Sequence, residues 1–123
     1  ARWQLPDDVQ ERIMQRLVDE KYIDEERYCR FFVRDKIRYN KWGRRKVEQA
    51  LMMKRIPRDI ISGALGEVDA EEYIAVLRPL LQSKRKTIKA ASEYELNAKL
   101  IRFAMGRGFD MDIIRECLDC EEF

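Results

Sequence analysis

The feature that most constrains this chain is an internal repeat. IPRDIISGAL at 56–65 aligns with FDMDIIRECL at 109–118, an offset of 53 residues. Both copies carry Asp-Ile-Ile three residues after an apolar start, and both close on an apolar residue. Lys46-Val47 matches Lys99-Leu100 at the same offset. Upstream, DEERY at 24–28 echoes DAEEY at 69–73 at an offset of 45, and the basic stretch Lys84 to Lys89 absorbs the eight-residue difference. LPDDV at 5–9 echoes the short-helix start a third time. A repeat of this period means stacked supersecondary units, each too small to bury its apolar face alone. Chance likeness between amphipathic helices does not account for the shared Asp-Ile-Ile and Lys spacing.

Apolar spacing at helical period draws seven helices along the chain. The first covers 6–20, with Pro6 at its start, Asp7, Asp8 and Glu11 at the positive end of its dipole, and Val9, Ile13, Met14 and Leu17 on one side. The second covers 24–39, with Asp24 as cap, Cys29, Phe32 and Val33 inward and Tyr28 at the edge. A turn follows in which Gly43 could take a backbone angle that other residues resist. The third, 44–54, turns Val47, Ala50 and Leu51 inward, and the fourth, 57–65, does the same with Ile60, Ile61, Ala64 and Leu65. The fifth starts after Asp69, which is spaced from Glu72 as in a capping box, and Pro79 should kink or interrupt it. It carries Tyr73, Ile74, Leu77, Leu80 and Leu81. The sixth follows Ser92 with Glu95 three residues on, buries Leu96, Leu100, Phe103 and Ala104, and ends at Gly106 and Gly108. The seventh, 110–119, has Ile113, Ile114, Cys117 and Leu118 inward. The expected fold is all-α, in tandem three-helix units of long, medium and short helices. Residues 1–22 read as the last helix of a truncated first unit, 23–66 as a second unit and 67–123 as a third.

Composition permits this. Of 123 residues, 46% are apolar, enough for a core, and only five glycines and three prolines are left for loops. The formal net charge of +2 hides blocks. Residues 1–26 hold four Lys/Arg against eight Asp/Glu, whereas 27–58 hold twelve against two. Residues 59–77 are acidic, 78–107 basic again, and 108–123 acidic. Such a basic middle is either a solvated helical face or a docking surface for nucleic acid or an acidic protein.

Chemistry is harder to place. The chain has no histidine, which removes the commonest neutral-pH acid–base and metal ligand. It has no Gly-rich phosphate loop and no Gly-x-Ser-x-Gly elbow. Glu25 and Glu26 read as helix-start charges. Cys117 and Cys120 have the spacing of a redox or zinc pair, but Cys117 occupies a core position of the repeat and Cys120 lies in an acidic tail that gives a thiolate no help. Cys29 reads as core as well. No catalytic site, metal site or cofactor is expected. Three cysteines without a secretory leader predict a reducing, cytoplasmic setting, and no apolar run is long enough to span a membrane. The chain opens at Ala1, without an initiator Met and already near a helix start, which reads as a fragment or a processed chain.

The basic block is the main lead. Arg27, Arg30, Arg34, Lys36, Arg38, Lys41, Arg44, Arg45 and Lys46 span a long helix, a turn and the next helix start; Lys84, Arg85, Lys86 and Lys89 mark the corresponding region of the next unit. Phosphate contacts by such groups would give salt-sensitive affinity, and no pattern here specifies bases. Tyr39 and Trp42 flank the turn, to stack on bases, to anchor an interface, or to pack across the helix junction. Met52 and Met53, beside Lys54 and Arg55, would fill gaps between units or else form an adaptable contact surface.

YIDEERYCRFFVRDKI, then WGRRKVEQAL and KRIPRDIISGAL, resemble the central repeat of the RecX family of regulatory proteins. The matching positions are Ile23, Asp24, Arg27, Tyr28, Phe32, Gly43, Lys46, Val47, Leu51, Ile56 and Ile60. NAKLIRFAMGRGFDMDIIRECL is similar to the closing helices of that family's final repeat. Cys29 replaces a usual alanine, and Arg55 stands where the family often has Gly. The resemblance implies an elongated, curved array of three-helix repeats that binds the RecA recombinase filament. It implies that the basic helix and turn face either acidic recombinase surface or single- or double-stranded DNA within that filament, and it implies inhibition of recombinase and ATPase activity and a part in DNA repair, recombination and the SOS response. It also implies a regulator without catalysis of its own. The surface residues expected to carry this are Arg34, Arg38, Lys41, Trp42, Arg44, Arg45, Lys84, Arg85 and Lys86, while Arg27 could instead pair within the fold. A general nucleic-acid-binding module, predicting salt-sensitive binding to naked DNA, and a non-enzymatic adaptor repeat are the alternatives.

Overall fold

A computed structural model describes residues 6–119, and every regular element among them is an α-helix. These are α1 (Asp7–Arg38), α2 (Arg44–Met53), α3 (Arg58–Gly66), α4 (Ala70–Thr87), α5 (Glu93–Gly106) and α6 (Met111–Asp119). Helix α1 packs on α2 and α3, and α4 packs on α5 and α6, giving the expected long, medium and short unit twice. The two units meet where α1 touches α4.

The first two expected helices are one. α1 runs unbroken for 32 residues, so Asp24 caps nothing and the expected break at 22/23 lies inside a helix. The stretch from Tyr22 to Arg27 contains no Gly or Pro, so nothing local stops the hydrogen-bond ladder. The other starts behave as read. Asp69 accepts a hydrogen bond from the Glu72 N–H at 3.3 Å, and Ser92 accepts one from the Glu95 N–H at 3.2 Å. Pro79 does not interrupt α4.

The core repeats with the sequence. Val47, Leu51, Ile61 and Ala64 are buried, and so are Leu100, Ala104, Ile114 and Cys117, each 53 residues later. In the long helices the buried stripe is Cys29, Val33 and Ile37 in α1 and Tyr73, Leu77 and Leu81 in α4, an offset of 44. The letter match at 45 is therefore one residue out of register: it pairs exposed Tyr28 with buried Tyr73. Cys29 and Cys117 are core residues, as expected, and burial pushes the Cys29 thiol up, with Glu25 adding to the effect. Cys120 lies outside the described residues. Met52 and Met53 fill no gap, since both are exposed at the end of α2. Ile13, Met14 and Leu17 also stand in solvent.

Between the units the two main chains touch. Gly43 N–H donates to the Arg107 carbonyl at 2.8 Å, and Arg45 N–H donates to the Gly108 carbonyl at 2.9 Å. Gly43 has ordinary angles, φ −81° and ψ 167°, so close approach is what selects glycine there. A Cβ on it would lie 2.1 Å from the Gly108 carbonyl carbon. Gly108 itself has φ +92°, and a Cβ there would lie 2.5 Å from Lys46 Cβ. Arg55, at the same place in the first unit, has φ +60°. The position where a glycine was expected is left-handed, although arginine fills it.

Candidate functional site

The junction is closed by Tyr73, buried at the start of α4. Its hydroxyl accepts from the Arg44 N–H at 2.8 Å and lies 3.4 Å from Asp110 Oδ2, and its ring stacks on Phe109 with centroids 5.3 Å apart. The Arg44 guanidinium also lies over that ring, 4.3 Å from its centroid, and is 3.9 Å from Asp110. Burial pushes the Tyr73 hydroxyl up to about 12, Asp110 adds to the effect, and the Arg44 N–H and charge oppose it. Arg44 therefore joins the two units. It is half-buried and its Nε is buried without a hydrogen-bond partner, so its charge is largely committed to the fold.

The other expected site residues fall in separate places. Arg38 is exposed but paired with Glu72 at 2.9 Å. Arg85 is paired with Glu93 at 3.2 Å, and Lys84 lies over the Phe103 ring at 5.1 Å. With exposed Lys86 they end α4, twelve residues beyond Glu72 and so about 18 Å along the helix from Arg38. Arg34 and Arg45 are exposed, and neither has an ion-pair partner among the described residues. Lys41 is half-buried, with φ +58°. The structure thus brings together neither the whole basic block nor the two basic blocks.

What it does assemble is a strip of rings and ammonium groups where α1 meets α2. Trp42 is half-buried and packs on the core, and its backbone N–H donates to the Lys36 carbonyl at 3.1 Å. Lys46 lies 4.6 Å and Lys36 5.3 Å from its ring centroid. Lys36 is also 5.4 Å from the Phe32 ring, and Lys54 is 5.7 Å from Phe32 and 6.0 Å from Tyr28. Tyr28 and Phe32 are 5.8 Å apart. Three rings thus hold three lysines in place. Charges fixed in advance lose less side-chain entropy when they meet an anionic partner. Sequence reading named Trp42 but missed the strip, because its parts lie on two helices. The one-turn spacing of Tyr28, Phe32 and Lys36 was the available signal.

Among the described residues, no group of three or more His, Cys, Asp or Glu could hold a metal ion, and no helix is long and apolar enough to cross a membrane.

Fold and site together define a tandem three-helix-repeat protein whose first unit presents a pre-organised basic, aromatic face. Residues 24–65 match the family model described as RecX, second three-helix domain, and residues 71–118 match RecX, third three-helix domain. The chain belongs to the RecX family. It is similar to the protein named regulatory protein RecX of Vibrio campbellii, 33% identical over 105 residues, covering 85% of this chain and 66% of that one. The protein of the same name from Clostridium perfringens strain 13 is 28% identical over 108 residues, 86% of this chain and 50% of its relative. That of Lactobacillus johnsonii is 28% identical over 100 residues, 81% and 37%. The chain thus spans between about a third and two thirds of the length of these relatives. No solved structure matches it.

Proposed function

We infer that this chain regulates the RecA recombinase by binding its filament on DNA, without catalysis of its own and in the cytoplasm. Membership of the RecX family across both units carries this reading. The strip of Lys36, Lys46 and Lys54 supports it, because an anionic filament surface or its DNA would meet cations already held in place. Arg45, exposed at the start of α2 beside Lys46, and Lys41, in the turn before it, would extend the face. In the same reading, residues 1–22 carry the end of a preceding unit, followed by units at 23–66 and 67–123. The exposed Ile13, Met14, Leu17 and Val18 would then be covered in the longer protein.

The test is co-sedimentation with preformed RecA filaments on single-stranded DNA at physiological salt, with naked DNA and DNA-free recombinase as controls. Binding to filaments alone, reduced at least tenfold by Arg45→Ala with Lys46→Ala, is the expected result. Equal binding to naked DNA would replace this reading with a general nucleic-acid module. Binding to none of the three would replace it with an adaptor repeat.

A further inference from the structure

A groove of about 200 Å³ runs between α1 and the start of α4. Val33, Ile37, Ala64, Val68, Ala75 and Val76 give it an apolar floor. Three arginines of α1, one turn apart, form one rim: Arg30, Arg34 and Arg38. Glu67 and Glu72 form the other. The outer arginines are paired, Arg30 with Glu26 of its own helix and with Glu67 at 3.4 Å, and Arg38 with Glu72 at 2.9 Å. Arg34, between them, is exposed and has no ion-pair partner among the described residues. Of the three arginines on this rim, the middle one is thus left without a carboxylate.

We propose that this groove is a docking site for a protein segment that inserts one large apolar side chain and sets an Asp or Glu carboxylate on Arg34. The volume is below the roughly 300–1,000 Å³ of small-molecule sites but suits a single anchoring side chain. Nucleic acid fits poorly. The floor offers no ring for a base, and the two glutamates line the wall where phosphates would run. A basic segment would leave Arg34 facing like charge. The groove is also distinct from the lysine strip. Arg30, Arg34 and Arg38 each stand two residues after Tyr28, Phe32 and Lys36, which is about 200° around α1. The inference does not depend on the filament reading, and its test needs no recombinase.

The probe is a phage-displayed library of random peptides selected on the intact chain. Enriched peptides should pair Leu, Met or Phe with a carboxylate within one helical turn. Affinity of a synthesised winner should fall at least tenfold with Arg34→Glu, and a version with Lys in place of its carboxylate should regain binding to that variant. Ala75 lines the groove and is exposed, so Ala75→Trp should block the groove without disturbing the core. Unchanged helical circular dichroism would confirm that both variants fold. Absence of enrichment, winners without carboxylates, winners indifferent to both variants, or displacement of the winner by a single-stranded oligonucleotide would each overturn the proposal.

Discussion

Two residues at equivalent places show how little backbone strain one side chain can cause. Arg55 and Gly108 both end the middle helix of their unit in the left-handed region. An L-residue there gives up about 1–2 kcal/mol, while glycine's extra freedom in the unfolded chain costs about 0.5–1 kcal/mol. Arg55→Gly should therefore stabilise the protein slightly, by about 0.5 kcal/mol, read as a higher urea midpoint at unchanged slope. Gly108→Ala should do the opposite by at least about 2 kcal/mol, because its Cβ would also meet Lys46. Tyr73 gives a pH signature. Its hydroxyl ionises near 10 in the unfolded chain and at about 12 in the fold. The unfolded state thus loses this proton first, and the stability Tyr73 contributes is fully present below pH 10 and lost as pH rises towards 12. Tyr73→Phe should remove that part of the slope and cost about 1–2 kcal/mol at neutral pH through the lost partner of the Arg44 N–H. Denaturant titrations at pH 7 and pH 11 check both.

At the scale of elements, α1 is two things in one helix. Its C-terminal part buries Cys29, Val33 and Ile37, whereas residues 10–24 are exposed throughout. One tie in that region is the Tyr22 hydroxyl on Asp59 at 3.1 Å. Helices without tertiary burial are marginal in water, so amides of residues 10–20 should exchange with solvent at least about a hundredfold faster than those of 29–37. Equal protection would show that this half is held by more than its own ladder. The repeat made most of the elements legible: the 53-residue offset places the buried residues of α2, α3, α5 and α6, and the acidic spacing places the starts of α4 and α5. Two things were hidden. Breaks in apolar periodicity look alike whether a helix stops or its apolar face shifts, so α1 read as two helices. The register of the long helices followed the matching letters DEERY and DAEEY, but burial follows geometry, and Tyr28 and Tyr73 differ in role. The basic block was visible as charge, yet sequence cannot say which arginines are spent on Glu67, Glu72, Glu93 or Asp110 in another element.

For the whole molecule, the decisive contact is between main chains. Gly43 and Gly108 let two turns from different units share hydrogen bonds, and Tyr73 with Arg44 and Asp110 closes the seam. The units should therefore open together. Hydrogen exchange should give one shared free energy for the slowest amides of α2 and α5, and Gly43→Ala, whose Cβ would lie 2.1 Å from Gly108, should split it into two. A single value in that variant would mean that side-chain packing alone couples the units.

A joint written in carbonyls, amides and two missing side chains leaves a faint mark on the sequence. Surface residues around it can drift without changing how the units meet, but the two glycines must travel as a pair. Exchanging one unit for that of a distant relative would then succeed only where both halves of the hybrid bring their glycine. Inheritance would favour these two units moving as a block over mixing them singly.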